Sequence, residues 1–203
     1  PNKIEIVHNA VDFGDKEIKK LNMSKNDKIV LFLGRITIQK GPDYFIDAAN
    51  KVLHKVKDTK FIVAGSGDME DQMMEKVKRL GIDDKFLFAG FLQGEEIDNA
   101  YKIADVYVMP SVSEPFGITP LEAMRNGTPV IMSKQSGVSE VVKHCLKVDF
   151  WDIDQLVDKI LGVLKYEELH NTLKHHGNIE IKKLNWNEPA QKCIDVYNRS
   201  LGV

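Results

Sequence analysis

Short, continuously apolar runs recur along this chain, separated by longer stretches with apolar residues at helical spacing. The runs fall at residues 28–33, 60–64, 85–89, 106–109 and 129–132, with another at 4–7 and a weaker one at 146–149. Apolarity without alternation predicts strands covered on both faces. Residues 42–56 place Phe45, Ala49, Val52, Leu53 and Val56 on one helical stripe, with lysines elsewhere, and Pro42 suits a first turn. Further helices are predicted at 69–80, 95–104, 118–126, 138–143 and 153–164. Such alternation builds an α/β, Rossmann-like, doubly wound parallel sheet of about six strands with helices on both faces. Residues 171–203 read as helical with no strand signal. The expected organisation is a first strand and interdomain linker over 1–20, a sheet domain over 21–170 and a helical tail over 171–203 that packs here or reaches to another domain.

Composition narrows the class. The chain has 203 residues, 43% of them hydrophobic and 29% charged, ordinary for a globular protein. A net charge of -2 gives no reason to expect nucleic acid as a partner. Cys145 and Cys193 lie far apart without metal-ligand spacing, which reads as reduced thiols and a cytoplasmic protein. No apolar run is long enough to form a transmembrane segment, so any membrane association is left to parts outside this chain. The chain begins with Pro1 and no signal peptide, as a fragment would.

Candidate chemistry sits in the loops that leave the predicted strands at their carboxyl ends, where open α/β sheets bind ligands. Residues 34–41 carry Arg35 and Lys40; Gly65-Ser66-Gly67 follows the next strand, Gly90-Phe91-Leu92 the one after, and residues 111–117 the fifth. Glu114-Pro115-Phe116-Gly117-Ile118-Thr119-Pro120-Leu121-Glu122 holds two glutamates around a loop glycine and a predicted helix start. A helix start offers free N–H groups and partial positive charge to an anion. Arginine adds a rigid fork for phosphate oxygens and lysine a mobile point charge. A lone loop arginine is ordinarily a solvated cation, but two cations and two glycines at the carboxyl ends favour an anion site. The glutamates are predicted to lie on the order of 10–15 Å apart, long for a glycosidase pair but suited to hydroxyls at opposite ends of one ligand. Taken singly, Glu122 is also an ordinary carboxylate near a helix start and Glu114 an ordinary pre-proline loop residue.

These residues resemble the C-terminal, donor-binding domain of retaining GT-B glycosyltransferases of the glycosyl transferases group 1 family, the glycogen- and sucrose-synthase-like group. The matching residues are His8-Asn9-Ala10-Val11-Asp12, Gly34-Arg35 with Lys40-Gly41, Gly65-Ser66-Gly67, Phe88-Ala89-Gly90, Pro110-Ser111, the stretch from Glu114 to Glu122, Ala123-Met124 and Gly127-Thr128-Pro129-Val130. Ala10 departs from the family's usual glycine. The resemblance implies that Arg35 and Lys40 bind the diphosphate, and that Glu114 with the N–H groups of Phe116, Gly117 and Ile118 holds the donor sugar and its phosphate. It implies that Glu122 takes the ribose hydroxyls, that Thr119 adds a phosphate contact, and that Gly65, Phe91 and Leu92 lie beside the nucleotide. Glu114, Arg35 and Lys40 would be the catalytic set. The implied reaction moves a hexose from a nucleotide-sugar donor to an acceptor hydroxyl, as glycogen or starch synthases do, without metal or other cofactor. UDP- and ADP-glucose are the expected donors. The partner expected for this half is an acceptor-binding N-terminal domain of the same enzyme, so the isolated chain should bind donor and transfer little. A related epimerase or a non-catalytic nucleotide-sugar-binding module is the alternative.

Several other motifs have plainer readings. Gly65-Ser66-Gly67-Asp68-Met69-Glu70 lacks the third glycine of a dinucleotide fingerprint. Asp12-Phe13-Gly14 has none of a kinase's companions. Asp152-Ile153-Asp154 precedes an apolar-periodic run and reads as a helix cap. His175-His176 reads as solvated surface, and Trp151 and Trp186 as packing anchors.

Overall fold

The computed structural model describes Glu5, Val7 and residues 27–201. The strand expected at 4–7, the motif from His8 to Asp12 and the Asp12-Phe13-Gly14 triplet fall largely or wholly outside these residues. Six parallel strands form one sheet: β1 (Lys28–Leu33), β2 (Thr59–Ala64), β3 (Phe86–Gly90), β4 (Val106–Met109), β5 (Val130–Ser133) and β6 (Leu146–Val148), in the spatial order β3-β2-β1-β4-β5-β6. Helices α1 (Pro42–Leu53), α2 (Glu70–Arg79), α3 (Glu95–Ile103), α4 (Thr119–Arg125), α5 (Val138–Val141), α6 (Ile153–Lys165), α7 (Glu167–Ile181) and α8 (Asn187–Leu201), with short 3-10 turns at Ile38–Lys40 and Asp83–Lys85, complete the described elements.

The sheet divides the apolar interior into two layers. Val30 and Phe32 of β1 face α1, α2 and α6, packing with Phe45, Met73 and Ile160. Ile29 and Leu31 point the other way, toward α3, α4 and α5, packing with Ala100, Leu121 and Val138. Both faces of β1 are thus buried, and the strand has no polar side to show in its run. Helix α1 starts where Gly41 turns with φ +65° and Pro42 supplies a preset first-turn φ. Asp152 caps α6, its Oδ1 accepting the Gln155 N–H at 2.9 Å, as its place before an apolar run predicts.

The structure differs from the sequence reading at the carboxyl half. Helix α5 has only four residues, because Val142 is extended (ψ 142°) and residues 143–145 run on as a non-helical connection to β6. Helix α7 begins at Glu167 and buries Leu173, Gly177 and Ile181. A break follows before α8, where the Asn185 side chain accepts the Asn187 N–H at 3.0 Å. Helix α8 buries none of its residues. The two tryptophans are not packing anchors: Trp151 is 58% and Trp186 45% exposed. Trp151 lies in the loop after β6 and meets Phe150 edge-on at 4.7 Å instead of entering a core layer. His176 is exposed but not merely solvated, since its ring stacks on His144 at 5.2 Å.

Candidate functional site

The strand order reverses between β1 and β4. From β1 the chain progresses to β2 and β3 on one side, and from β4 to β5 and β6 on the other. Loops leaving neighbouring strands in opposite directions open a crevice beyond the carboxyl ends, the usual ligand position in this architecture. The loop after β1 and the loop after β4 flank it. They touch directly: the Val112 N–H donates to the Gln39 carbonyl at 2.9 Å. A Cβ on residue 41 would stand 2.3 Å from the Pro110 carbonyl oxygen, so only glycine permits this approach. The loop after β2 lies on the first from the other side, with Ile36 N–H donating to Ser66 and Met69 N–H to Ile36, each at 3.0 Å. There Gly65 has φ +131°, and a Cβ would come within 1.9 Å of the Gly34 oxygen.

These loops carry Arg35, Lys40 and Glu114. Lys40 and Glu114 form an ion pair across the crevice, their side chains 20% and 11% exposed. Two half-buried charges of opposite sign offset each other's desolvation, and an anion arriving at Lys40 would have to compete with the carboxylate. Arg35 is exposed and makes no ion pair among the described residues. The Glu114 loop is braced by a segment that sequence reasoning passed over, residues 134–137 after β5. Glu114 N–H donates to Gln135 at 3.3 Å, Gly137 N–H to Glu114 at 3.1 Å and Val138 N–H to Phe116 at 2.9 Å. A Cβ at residue 137 would meet the Pro115 oxygen at 2.3 Å. Gly137, between a predicted strand and a predicted helix, was the available sign of this contact. Gly117 turns with φ +97°, and the N–H groups of Gly117, Ile118 and Thr119 donate to no backbone carbonyl among the described residues.

Glu122 lies in α4, where its Oε2 accepts the Tyr101 O–H at 3.1 Å. Burial raises the Tyr101 phenol well above its ordinary value, so it remains a neutral donor. Tyr107, also fully buried, ties the two sides of the crevice together. Its hydroxyl is 3.2 Å from the Leu33 carbonyl at the end of β1 and 2.8 Å from Thr119 Oγ1 at the start of α4. The carbonyl only accepts. The phenol proton is offered to these two acceptors, and the Thr119 hydroxyl donates in turn to Met109 Sδ at 3.6 Å. The Thr119 hydroxyl proton is then engaged, while its backbone N–H donates to no backbone carbonyl among the described residues. Sequence reasoning missed both tyrosines, because buried tyrosines at helix and strand positions are indistinguishable from other apolar residues in the periodic pattern.

Arg35, Gly65, Phe91 and Leu92 line one cavity of about 440 Å³, together with Leu33, Gly34, Ala64, Ser66 and Ile97. The Phe91 ring is 69% exposed at its rim. Largely apolar walls, an aromatic edge and one guanidinium suit a flat heterocycle joined to an anion. Lys40, Glu114, Phe116, Gly117, Ile118 and Thr119 are assembled in the adjoining pair of loops. No described helix is long and apolar enough to cross a membrane.

Comparison with known proteins agrees with this layout. Residues 14–178 match the family model described as glycosyl transferases group 1. An uncharacterized glycosyltransferase of Methanocaldococcus jannaschii is 34% identical over 216 residues, covering 97% of this chain and 54% of that protein. The chain thus spans about half the length of this curated relative. The crystal structure of the C-terminal domain of a glycosyl transferase group 1 family protein from Francisella tularensis is similar, with a TM-score of 0.72, 28% identity, and coverage of 77% of this chain and 85% of that one. TarM of S. aureus, at 20% identity, shares the fold with a TM-score of 0.82 over 95% of this chain and 38% of its own. The six-stranded Rossmann-like sheet matches GT-B glycosyltransferase structures.

Proposed function

This chain belongs to the glycosyl transferases group 1 family, and from that membership we propose that it is the donor-binding half of a retaining glycosyltransferase acting on a nucleotide-diphosphate sugar. The observation that carries the reading is the meeting of Lys40 and Glu114 at the sheet's switch point, beside the cavity lined by Arg35. The nucleoside occupies that cavity, with its base between Phe91, Leu92 and Gly65. Arg35 and Lys40 hold the diphosphate with the free N–H groups of Gly117, Ile118 and Thr119. Glu114 turns from Lys40 to the donor sugar, and Glu122 takes the ribose.

The chemistry favours this arrangement. As the bond from the sugar's anomeric carbon to the diphosphate breaks, negative charge grows on the leaving group. Fixed cations and N–H dipoles held there are worth more in the transition state than in the ground state. The acceptor hydroxyl attacks from a second domain, the proposed N-terminal half, and the sugar is a hexose, as in glycogen- or starch-synthase-like transfer. No metal is needed when side-chain cations carry the diphosphate.

Thermal denaturation with UDP, GDP, ADP and their glucose conjugates tests the reading. Selective binding to the folded state raises the melting temperature. At least one of these ligands is expected to do so, and no shift with any of them at millimolar concentration would refute donor binding.

A further inference from the structure

The carboxylate proposed to hold the ribose is not free to turn. Tyr101 donates to one of its oxygens, Oε2, at 3.1 Å. Tyr101 is itself fixed on several sides. Its side chain is wholly buried and meets the Tyr107 ring edge-on, with centroids 5.5 Å apart. Its carbonyl accepts the Thr128 hydroxyl at 2.6 Å. Ile97, four residues earlier in α3, lines the cavity, so Tyr101 lies on the same helix face, one turn deeper. A phenylalanine would fill the same space in this apolar layer. Burying a phenol instead costs free energy unless its O–H finds a partner, and Glu122 is that partner.

We propose that Tyr101 is a positioning residue for the nucleotide's sugar: by engaging Oε2 of Glu122 it presents Oε1 to the ribose hydroxyls and makes the site select ribose over deoxyribose. The proposal rests on the donor-binding reading of the same site. An untethered glutamate spreads over its rotamers and loses that freedom on binding. A tethered carboxylate is already ordered, and a ligand lacking the hydroxyl leaves its free oxygen without a donor.

The test is a ratio of dissociation constants, measured by titration calorimetry on the 203-residue chain. UDP, GDP and ADP are each compared with their 2′- and 3′-deoxy counterparts. The unaltered chain is expected to prefer the ribonucleotide by about tenfold or more, and Tyr101→Phe to bring that preference within about threefold by weakening the ribonucleotide alone. Equal weakening of both sugars would show a merely structural role and overturn the proposal, as would an unchanged preference. Glu122→Ala separates this failure from failure of the underlying reading. Should the unaltered chain show no preference, or Glu122→Ala keep it, the ribose assignment of Glu122 falls and the Tyr101 proposal with it. Should Glu122→Ala abolish the preference while Tyr101→Phe keeps it, only the proposal falls. Adding Tyr101→Phe to Glu122→Ala is expected to leave the ratio where it is. Each ratio is internal to one variant, so a loss of thermal stability does not obscure it.

Discussion

Single residues fix the shape of the crevice more than its charges do. Gly65 has a positive φ and almost touches the Gly34 oxygen, so a methyl group there meets backbone that has nowhere to go. Gly65→Ala is expected to cost about 2–4 kcal/mol of unfolding free energy. Urea denaturation measures it, and a loss under about 0.5 kcal/mol, the level of an ordinary surface change, would show that the loops are not packed as described. Arg35, Lys40, Glu114 and Glu122 were legible in the chain because charged residues and glycines beyond apolar runs break the pattern. Their partners were not. Pairing of Lys40 with Glu114 depends on two loops separated by 74 positions, and the hydroxyls of Tyr101 and Tyr107 act inside layers that the periodicity marks only as apolar. The tryptophans misled for the complementary reason. Large aromatic rings are usually sheltered, but Trp151 and Trp186 stand in connecting segments outside the core layers.

Elements were most readable where burial is two-sided. The six strands of the sheet lie close to their apolar runs, because a strand between two helical layers tolerates no polar face. Helix ends were less readable, being set by tertiary contacts. Helix α7 shows why. Its Glu180 accepts the N–H groups of Lys143 at 2.9 Å and His144 at 2.8 Å, and lies 2.9 Å from His144 Nδ1. Burial opposes the charge, but these donors outweigh it and hold the carboxyl below the usual carboxylate range. A carboxyl depressed in the folded state stabilises it above the ordinary carboxylate pKa, and that stabilisation is lost as pH falls through the depressed value. Glu180→Gln is therefore expected to lower the melting temperature by about 2–4 °C at neutral pH. The deficit should shrink toward zero as pH falls through and below the depressed carboxyl value. A deficit independent of pH would mean that the ionised carboxylate does not anchor α7.

At the scale of the whole molecule, alternation of strand and helix identified the doubly wound class, but the strand order had to be seen. The reversal between β1 and β4 puts Arg35 and Lys40 on one lip of a crevice and Glu114 on the other. The central claim is that this lip binds the diphosphate of a nucleotide donor through Lys40. Titration calorimetry with a nucleoside diphosphate and its parent nucleoside, on the unaltered chain and on Lys40→Ala, tests it most directly. The account predicts that Lys40→Ala weakens the diphosphate about 10- to 100-fold and the nucleoside less than about twofold. Equal losses for the two ligands, or none for either, would contradict it.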